Sequence, residues 1–228
     1  MTYVVIPAKD FHGAKQRLAG LLQPHERSAL ARATLTDTLT ACVQAAGLAG
    51  IGVVTCDREV AELAESLGAE VLWEAEARGQ SAAVARGGRE CLRRGIPSML
   101  TMPGDIPLLT AADVEALAAG AQLAPSVVMV PNREDSGTNA LLLTPPDCLP
   151  VAFGDDSFRR HLRLCAERGL AVDVRRMPRV ALDIDTPEDL AVFVAQRVPS
   201  HSLRALTDLG VLERCAAAPC PVGSDPSS

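Results

Sequence analysis

The stretch PSMLTMPGDIPLLTAADVEALAAGAQL, residues 97–123, carries the pattern on which the fold turns. A short apolar run, PSMLTMP, reads as a buried strand, and Gly104, Asp105 and Pro107 then break it. From Ala111 the apolar residues recur every three or four positions, the spacing of an amphipathic helix. Thr110 stands where an N-cap belongs, with a hydroxyl that can accept from a free amide of the first turn. Strand, turn and helix in this order make half of a βαβ crossover.

The same alternation extends in both directions. TYVVIPA, GIGVVTC, AEVLWEA, SVVMVPN, NALLLT, VDVRR and RVALDID read as further strands, with helices expected over residues 26–46, 58–67, 81–94, 156–168 and 187–197. Strands separated by helices of about ten or more residues imply an α/β fold, a single domain with a mainly parallel sheet covered by helices on both faces. NALLLT follows SVVMVPN too soon for a helical crossover, so an antiparallel or irregular insertion is expected there. Residues 202–215 fit one more helix, and the Pro- and Ser-rich end, residues 216–228, reads as a disordered tail.

Composition narrows the function classes. Of 228 residues 48% are hydrophobic, with only four Phe, one Tyr and one Trp, so the core is aliphatic and a disordered chain is excluded. The net charge of −6 supplies no global field for nucleic acid or an anionic membrane, and an anionic ligand must be met locally. No run approaches the roughly 18 to 20 apolar residues of a membrane span, and the first residues lack the basic-then-apolar order of a signal peptide, so a cytoplasmic protein is expected. Seven scattered cysteines without a C-x-x-C spacing argue for reduced thiols rather than disulfides or zinc.

In an open parallel sheet ligands sit beyond the carboxyl ends of the strands, which directs attention to five segments. IPAKDFHGAKQRL places Lys9, Lys15 and Arg17 after a strand, three cations suited to mutually repelling phosphate oxygens. Neither the P-loop spacing nor G-x-G-x-x-G is present. MPGDIPLLT places Asp105 at a strand end, and ALDIDTPEDL places Asp183 and Asp185 two apart, on one face of an extended segment. Carboxylates about 4 Å apart repel by roughly 4 kcal/mol per pair at an effective dielectric of 20. Three converging Asp side chains therefore call for a hard cation, magnesium being the natural choice beside phosphates. Raised carboxylate pKa values are the metal-free alternative.

NREDSGTNALLL offers Ser136, Thr138 and Asn139 as neutral hydrogen-bonding groups, with Gly137 permitting close backbone approach, all suited to a phosphate or carboxylate. FGDDSFRRH reads as a turn at Gly154 followed by a helix start at Ser157, where free N–H groups can receive an anion and Arg160 or His161 can assist. His161 itself reads as a helix-surface or capping group rather than a general base. Taken one at a time, each segment is equally compatible with an ordinary solvated loop, turn or cap.

Together and in this order, the segments resemble the CofC/FbiD family of phospho-carboxylate guanylyltransferases of coenzyme F-420 biosynthesis. The resemblance runs from Val4 to about Val194 and rests on IPAK…AKQRL, PGDIPLL, SGTNALLL, FGDDSFRRH and DIDTPEDL. It implies a nucleotide-diphospho-sugar transferase-like domain, set over residues 1–198, and the residue pattern beyond it leaves room for a C-terminal helix within 199–215. It further implies transfer of GMP from GTP to a small phosphorylated carboxylic acid: 2-phospho-L-lactate, phosphoenolpyruvate or 3-phospho-D-glycerate. By motif position, Asp105, Asp183 and Asp185 correspond to the magnesium-binding aspartates. Thr138, Gly154 and Ser157 correspond to the groups holding the acceptor, and Lys9, Lys15 and Arg17 fall in the stretch facing GTP, Lys15 and Asp105 being the catalytic pair.

One segment departs from the family pattern. Gln80 and Ser81 stand in RGQSAAVARG where relatives often carry the Leu and Asn of G-L-N-x-A, which bears on guanine selectivity if the segment touches base or ribose. A nucleotidyltransferase for a sugar phosphate or molybdopterin, and an inactive nucleotide-binding module, are the competing readings. A homodimer is left open, with no unassigned apolar stripe to form its interface.

Overall fold

The computed structural model describes residues 1–120 and 124–217. Seven strands form one sheet: β1 (Thr2–Pro7), β2 (Leu48–Thr55), β3 (Glu70–Trp73), β4 (Ser98–Thr101), β5 (Ser126–Pro131), β6 (Thr138–Thr144) and β7 (Ala171–Val174). Their spatial order is β3-β2-β1-β4-β6-β5-β7. All neighbours are parallel except β6, which lies antiparallel between β4 and β5. Among the described residues there are eight α-helices: α1 (Pro24–Gln44), α2 (Arg58–Ser66), α3 (Gln80–Arg93), α4 (Ala111–Ala118), α5 (Ser157–Glu167), α6 (Pro187–Gln196), α7 (His201–Asp208) and α8 (Val211–Ala217).

Strand alternation sorts the aliphatic residues onto two faces. Val4, Ile6, Leu100, Val128 and Leu142 pack with Leu35 and Leu39 of α1, Val60 of α2 and Val114 of α4. Val5, Met99, Val127, Leu141 and Leu143 pack on the opposite face with Val84 and Cys91 of α3 and Phe158 and Cys165 of α5. Burying each such side chain contributes about 1.5 to 3 kcal/mol, so these two layers hold the sheet that positions the loops. Gly104 has no room for a larger residue, because a Cβ there would stand 2.8 Å from Leu35 Cδ1.

Helix starts follow the capping chemistry of the sequence. Thr110 with Asp113 and Thr186 with Asp189 form capping boxes at α4 and α6, and Pro187 occupies the first turn of α6. Two expectations change. RVALDID is not a strand: residues 179–185 pair with no neighbour as a ladder, although Leu182 and Ile184 are buried in alternation against Phe193 and Leu206. The period of two therefore records an extended segment held by packing. The helix expected over 202–215 is two, α7 and α8, divided at Gly210, whose φ of +64° ends the first. Of the tail expected over 216–228, residues 218–228 lie outside the described residues.

Candidate active site

The reversed β6 determines what gathers at one end of the sheet. The carboxyl ends of β1, β2, β4 and β5 open at that end, and β6, running the other way, brings its amino end there. The loops after β1, β4 and β5 and the first residues of β6 consequently surround a cleft of about 650 Å³. Lys9, Lys15, Arg17, Asp105, Asp183 and Asp185 line it, together with Thr138, Gly154 and Ser157.

Asp105, Asp183 and Asp185 converge, each presenting one oxygen within 4.8 Å of the other two. Asp105 sits in the turn after β4, and that turn is fixed to α1 by the Thr38 hydroxyl, which accepts from the Ile106 N–H at 3.2 Å. The Ile184 N–H donates to the Asp105 carbonyl at 3.3 Å, stitching the two aspartate-bearing segments together. Asp189 of the α6 cap accepts from the Asp185 N–H at 3.3 Å and from Thr186, and its other oxygen receives Arg133 at 3.1 Å. The cap thus sets the position of Asp185 as well as starting the helix.

Lys15 enters this cluster from a left-handed backbone position, φ 56°. Its Nζ lies 2.5 Å from Asp105 Oδ2 and 3.4 Å from Asp185 Oδ1, and only 5% of its side chain is exposed. Burial disfavours its charge, but Asp105 and Asp185 outweigh that and raise the ammonium above its ordinary value. Burial, followed by the nearby Asp105 carboxylate, raises Asp183, with a hydrogen bond from Asn139 opposing. The cluster therefore carries both partial answers to converging negative charge: a resident cation and a raised carboxyl.

A hard divalent cation fits these residues. The donors are all carboxylate oxygens, and Asp105 Oδ1 is buried without a hydrogen-bond partner, an acceptor aimed at nothing in the protein. Lys9 and Arg17, by contrast, are exposed at the rim of the cleft.

A second part of the lining is a wall of hydroxyls. Ser157 Oγ accepts from the Thr138 N–H at 3.0 Å, and Thr138 Oγ1 lies 3.0 Å from His161 Nδ1. Asn132 braces the loop before β6, its Oδ1 accepting from the N–H groups of Ser136 at 2.9 Å and Gly137 at 2.8 Å. Gly154 adopts φ +111°, a conformation that only glycine takes without strain, and turns the chain into α5.

Several residues differ from their sequence reading. His161 is fully buried rather than on the helix surface, and burial lowers its pKa to about 4. Arg160 donates to the Asp155 carbonyl. Asn139, read as a ligand group, donates to Asp183 at 3.0 Å and to the Val180 carbonyl at 3.1 Å. The space above Gly137 is taken by Asn132, whose Nδ2 would stand 3.0 Å from an added Cβ. In the segment that departs from the family pattern, Gln80 lines the cleft, whereas Ser81 Oγ accepts from the Phe153 N–H at 2.8 Å. Sequence reading passed over Thr38 and Asn132. Asn132 had a signal, since an Asn opening a polar segment that ends in Gly is a turn former. Thr38 had none, because its partner lies 68 positions away.

Known proteins resemble this chain in sequence and in fold. The family described as "Guanylyl transferase CofC like" matches residues 2–213. The phosphoenolpyruvate guanylyltransferase of Conexibacter woesei is 43% identical over 190 residues, covering 83% of this chain and 85% of that protein. The 3-phospho-D-glycerate guanylyltransferase of Colwellia psychrerythraea is 36% identical over 198 residues, 87% of this chain and 93% of that one. Among solved structures, a nucleotidyl transferase from Methanothermobacter thermautotrophicus superposes with a TM-score of 0.62 at 21% identity, covering 90% of this chain and 98% of that chain, a likeness of fold.

Proposed function

The chain belongs to the family of CofC-like guanylyl transferases, and we propose that it joins GMP from GTP to a small phosphorylated carboxylic acid, releasing pyrophosphate. Phosphoenolpyruvate is the first acceptor to test, since the relative at 43% identity bears that name. The observation that carries this reading is the pairing, in one cleft, of three converging aspartates with a wall of hydroxyls. A nucleotide triphosphate and an anionic acceptor repel each other, and such a site offers each its own countercharge or donors.

An oxygen of the acceptor phosphate attacks the α-phosphorus of GTP in line, forming the new P–O bond as the bond to the bridging oxygen of pyrophosphate breaks. The electron pair leaves with pyrophosphate. The acceptor phosphate is already ionised near neutral pH, so no proton has to be removed first. Lys15 faces the triphosphate from inside the cleft, and Lys9 and Arg17 from its rim. Thr138 and Ser157 orient the acceptor from the hydroxyl wall, Ser157 following a turn that depends on Gly154. Asp105, Asp183 and Asp185 would hold magnesium, which when bound supplies positive charge to the phosphoryl oxygens. Placement in coenzyme F-420 biosynthesis follows from the family resemblance as part of the same proposal.

The test is to incubate purified protein with GTP, magnesium and, separately, phosphoenolpyruvate, 2-phospho-L-lactate or 3-phospho-D-glycerate. Pyrophosphate and a guanosine-diphospho adduct should appear together with one of the three. Asp105→Asn should lower the rate by about two orders of magnitude or more, the scale of removing a preorganised electrostatic group. Unchanged turnover in that variant, or in excess chelator, overturns the cation assignment.

A further inference from the structure

We propose that His161, seated behind the wall of the cleft, is a positioning residue that fixes Thr138 as a hydrogen-bond donor toward the acceptor. The argument starts from a group with only one role. The Ala152 backbone N–H can donate and cannot accept, and it lies 2.9 Å from His161 Nε2. Nε2 must therefore offer its lone pair, and a neutral imidazole then carries its proton on Nδ1. Nδ1 stands 3.0 Å from Thr138 Oγ1, so the ring donates and the hydroxyl accepts. Among the described residues Thr138 Oγ1 has no second partner, and its own proton is left for the cleft that Thr138 lines.

The ring is held for this task. It meets Phe153 edge to face, with centroids 5.1 Å apart and planes at 73°, and none of its surface is exposed. Burial disfavours the imidazolium, which keeps Nε2 free to accept from Ala152. Ser157 shows the same polarity by an independent route. Its Oγ accepts from the Thr138 N–H at 3.0 Å, which leaves its proton free as well.

The wall is consequently polarised before any ligand arrives. Each hydroxyl has one lone pair engaged by a protein donor and its proton uncommitted, so each has an O–H to offer the cleft. Such a pair of donors suits phosphate or carboxylate oxygens. This inference rests on reading that wall as the acceptor side of the cleft, and it assigns the selection of an ionised acceptor to a residue that never touches it.

The decisive measurement is the tautomer. The chain has four histidines, so protein labelled with ¹⁵N-histidine gives few resonances, and that of His161 is identified by its loss in His161→Gln. The expected signature is a protonated Nδ1 and a lone-pair Nε2. A proton on Nε2, on either ring nitrogen in exchange, or on both, overturns the proposal. The kinetic arm uses His161→Gln and His161→Phe. Each should raise KM for the acceptor by about tenfold, the scale of one hydrogen bond to a charged group, with KM for GTP changed less than about twofold. In a Thr138→Val background the His161 substitutions should add nothing; losses that multiply there overturn the coupling. Absence of turnover with all three acceptors would instead count against the proposed reaction, while the tautomer still decides the role of His161.

Discussion

Lys15 shows how converging carboxylates are held by a cation of the chain itself. Its ammonium, 2.5 Å from Asp105, stands where carboxylate repulsion would otherwise be greatest. Removing one partner of a well-buried ion pair costs about 3 to 5 kcal/mol, less here because Asp105 and Asp185 are 23% and 48% exposed. Lys15→Met should therefore lose about 2 kcal/mol of stability in chelator, a fall in Tm of several degrees for a chain of this size. Magnesium should restore part of that loss by supplying a replacement charge. Thermal unfolding with and without the ion measures both quantities, and equal Tm values for wild type and variant in chelator would show that the trio does not depend on the ammonium.

At the scale of elements, one reversed strand decides which residues meet. Had β6 run parallel to β4, Thr138 would sit at the far end of the sheet from Asp105. The start of α3 is a second such junction, because Ser81 on its first turn holds the Phe153 N–H and so steadies the loop that carries Gly154 and Ser157. Ser81→Ala should raise KM for the acceptor by about threefold to tenfold and leave KM for GTP near its original value, as expected for one lost hydrogen bond on a positioning loop. An effect confined to GTP would place Ser81 on the nucleotide side instead. The carboxylate pair of DIDTPEDL was legible as a pattern, since Leu182 and Ile184 alternate with Asp183 and Asp185. Its cause was not legible, because no ladder holds the segment and the burial comes from Phe193 and Leu206 on helices that follow it.

Across the whole molecule, buried titratable groups link the site to stability. The pKa of His161 falls from 6.5 to about 4 on folding, so below pH 6.5 the unfolded chain takes up a proton that the folded one refuses. Its contribution to stability is complete above pH 6.5, falls by up to about 3 kcal/mol as the pH drops, and levels off near pH 4. Asp183 acts in the opposite sense, since its raised carboxyl binds a proton more readily in the folded state. The difference between wild type and His161→Gln isolates the histidine: urea midpoints should converge as the pH is lowered from 7 to 4.5. A constant gap would mean that His161 takes up its proton as readily in the folded protein as in the unfolded chain.

The sequence by itself determined the alternation of strands and helices, the caps at Thr110 and Thr186, and the identity of the acidic and basic segments at strand ends. These are local properties, written in residue spacing and in the chemistry of neighbours a few positions apart. Only the tertiary structure decided that Lys15 sits inside the acidic trio rather than free in a loop, that Asn139 serves Asp183, and that His161 lies buried behind Thr138. Each of those depends on contacts between positions 23 to 170 residues apart, and such contacts follow from how the sheet orders and orients its strands.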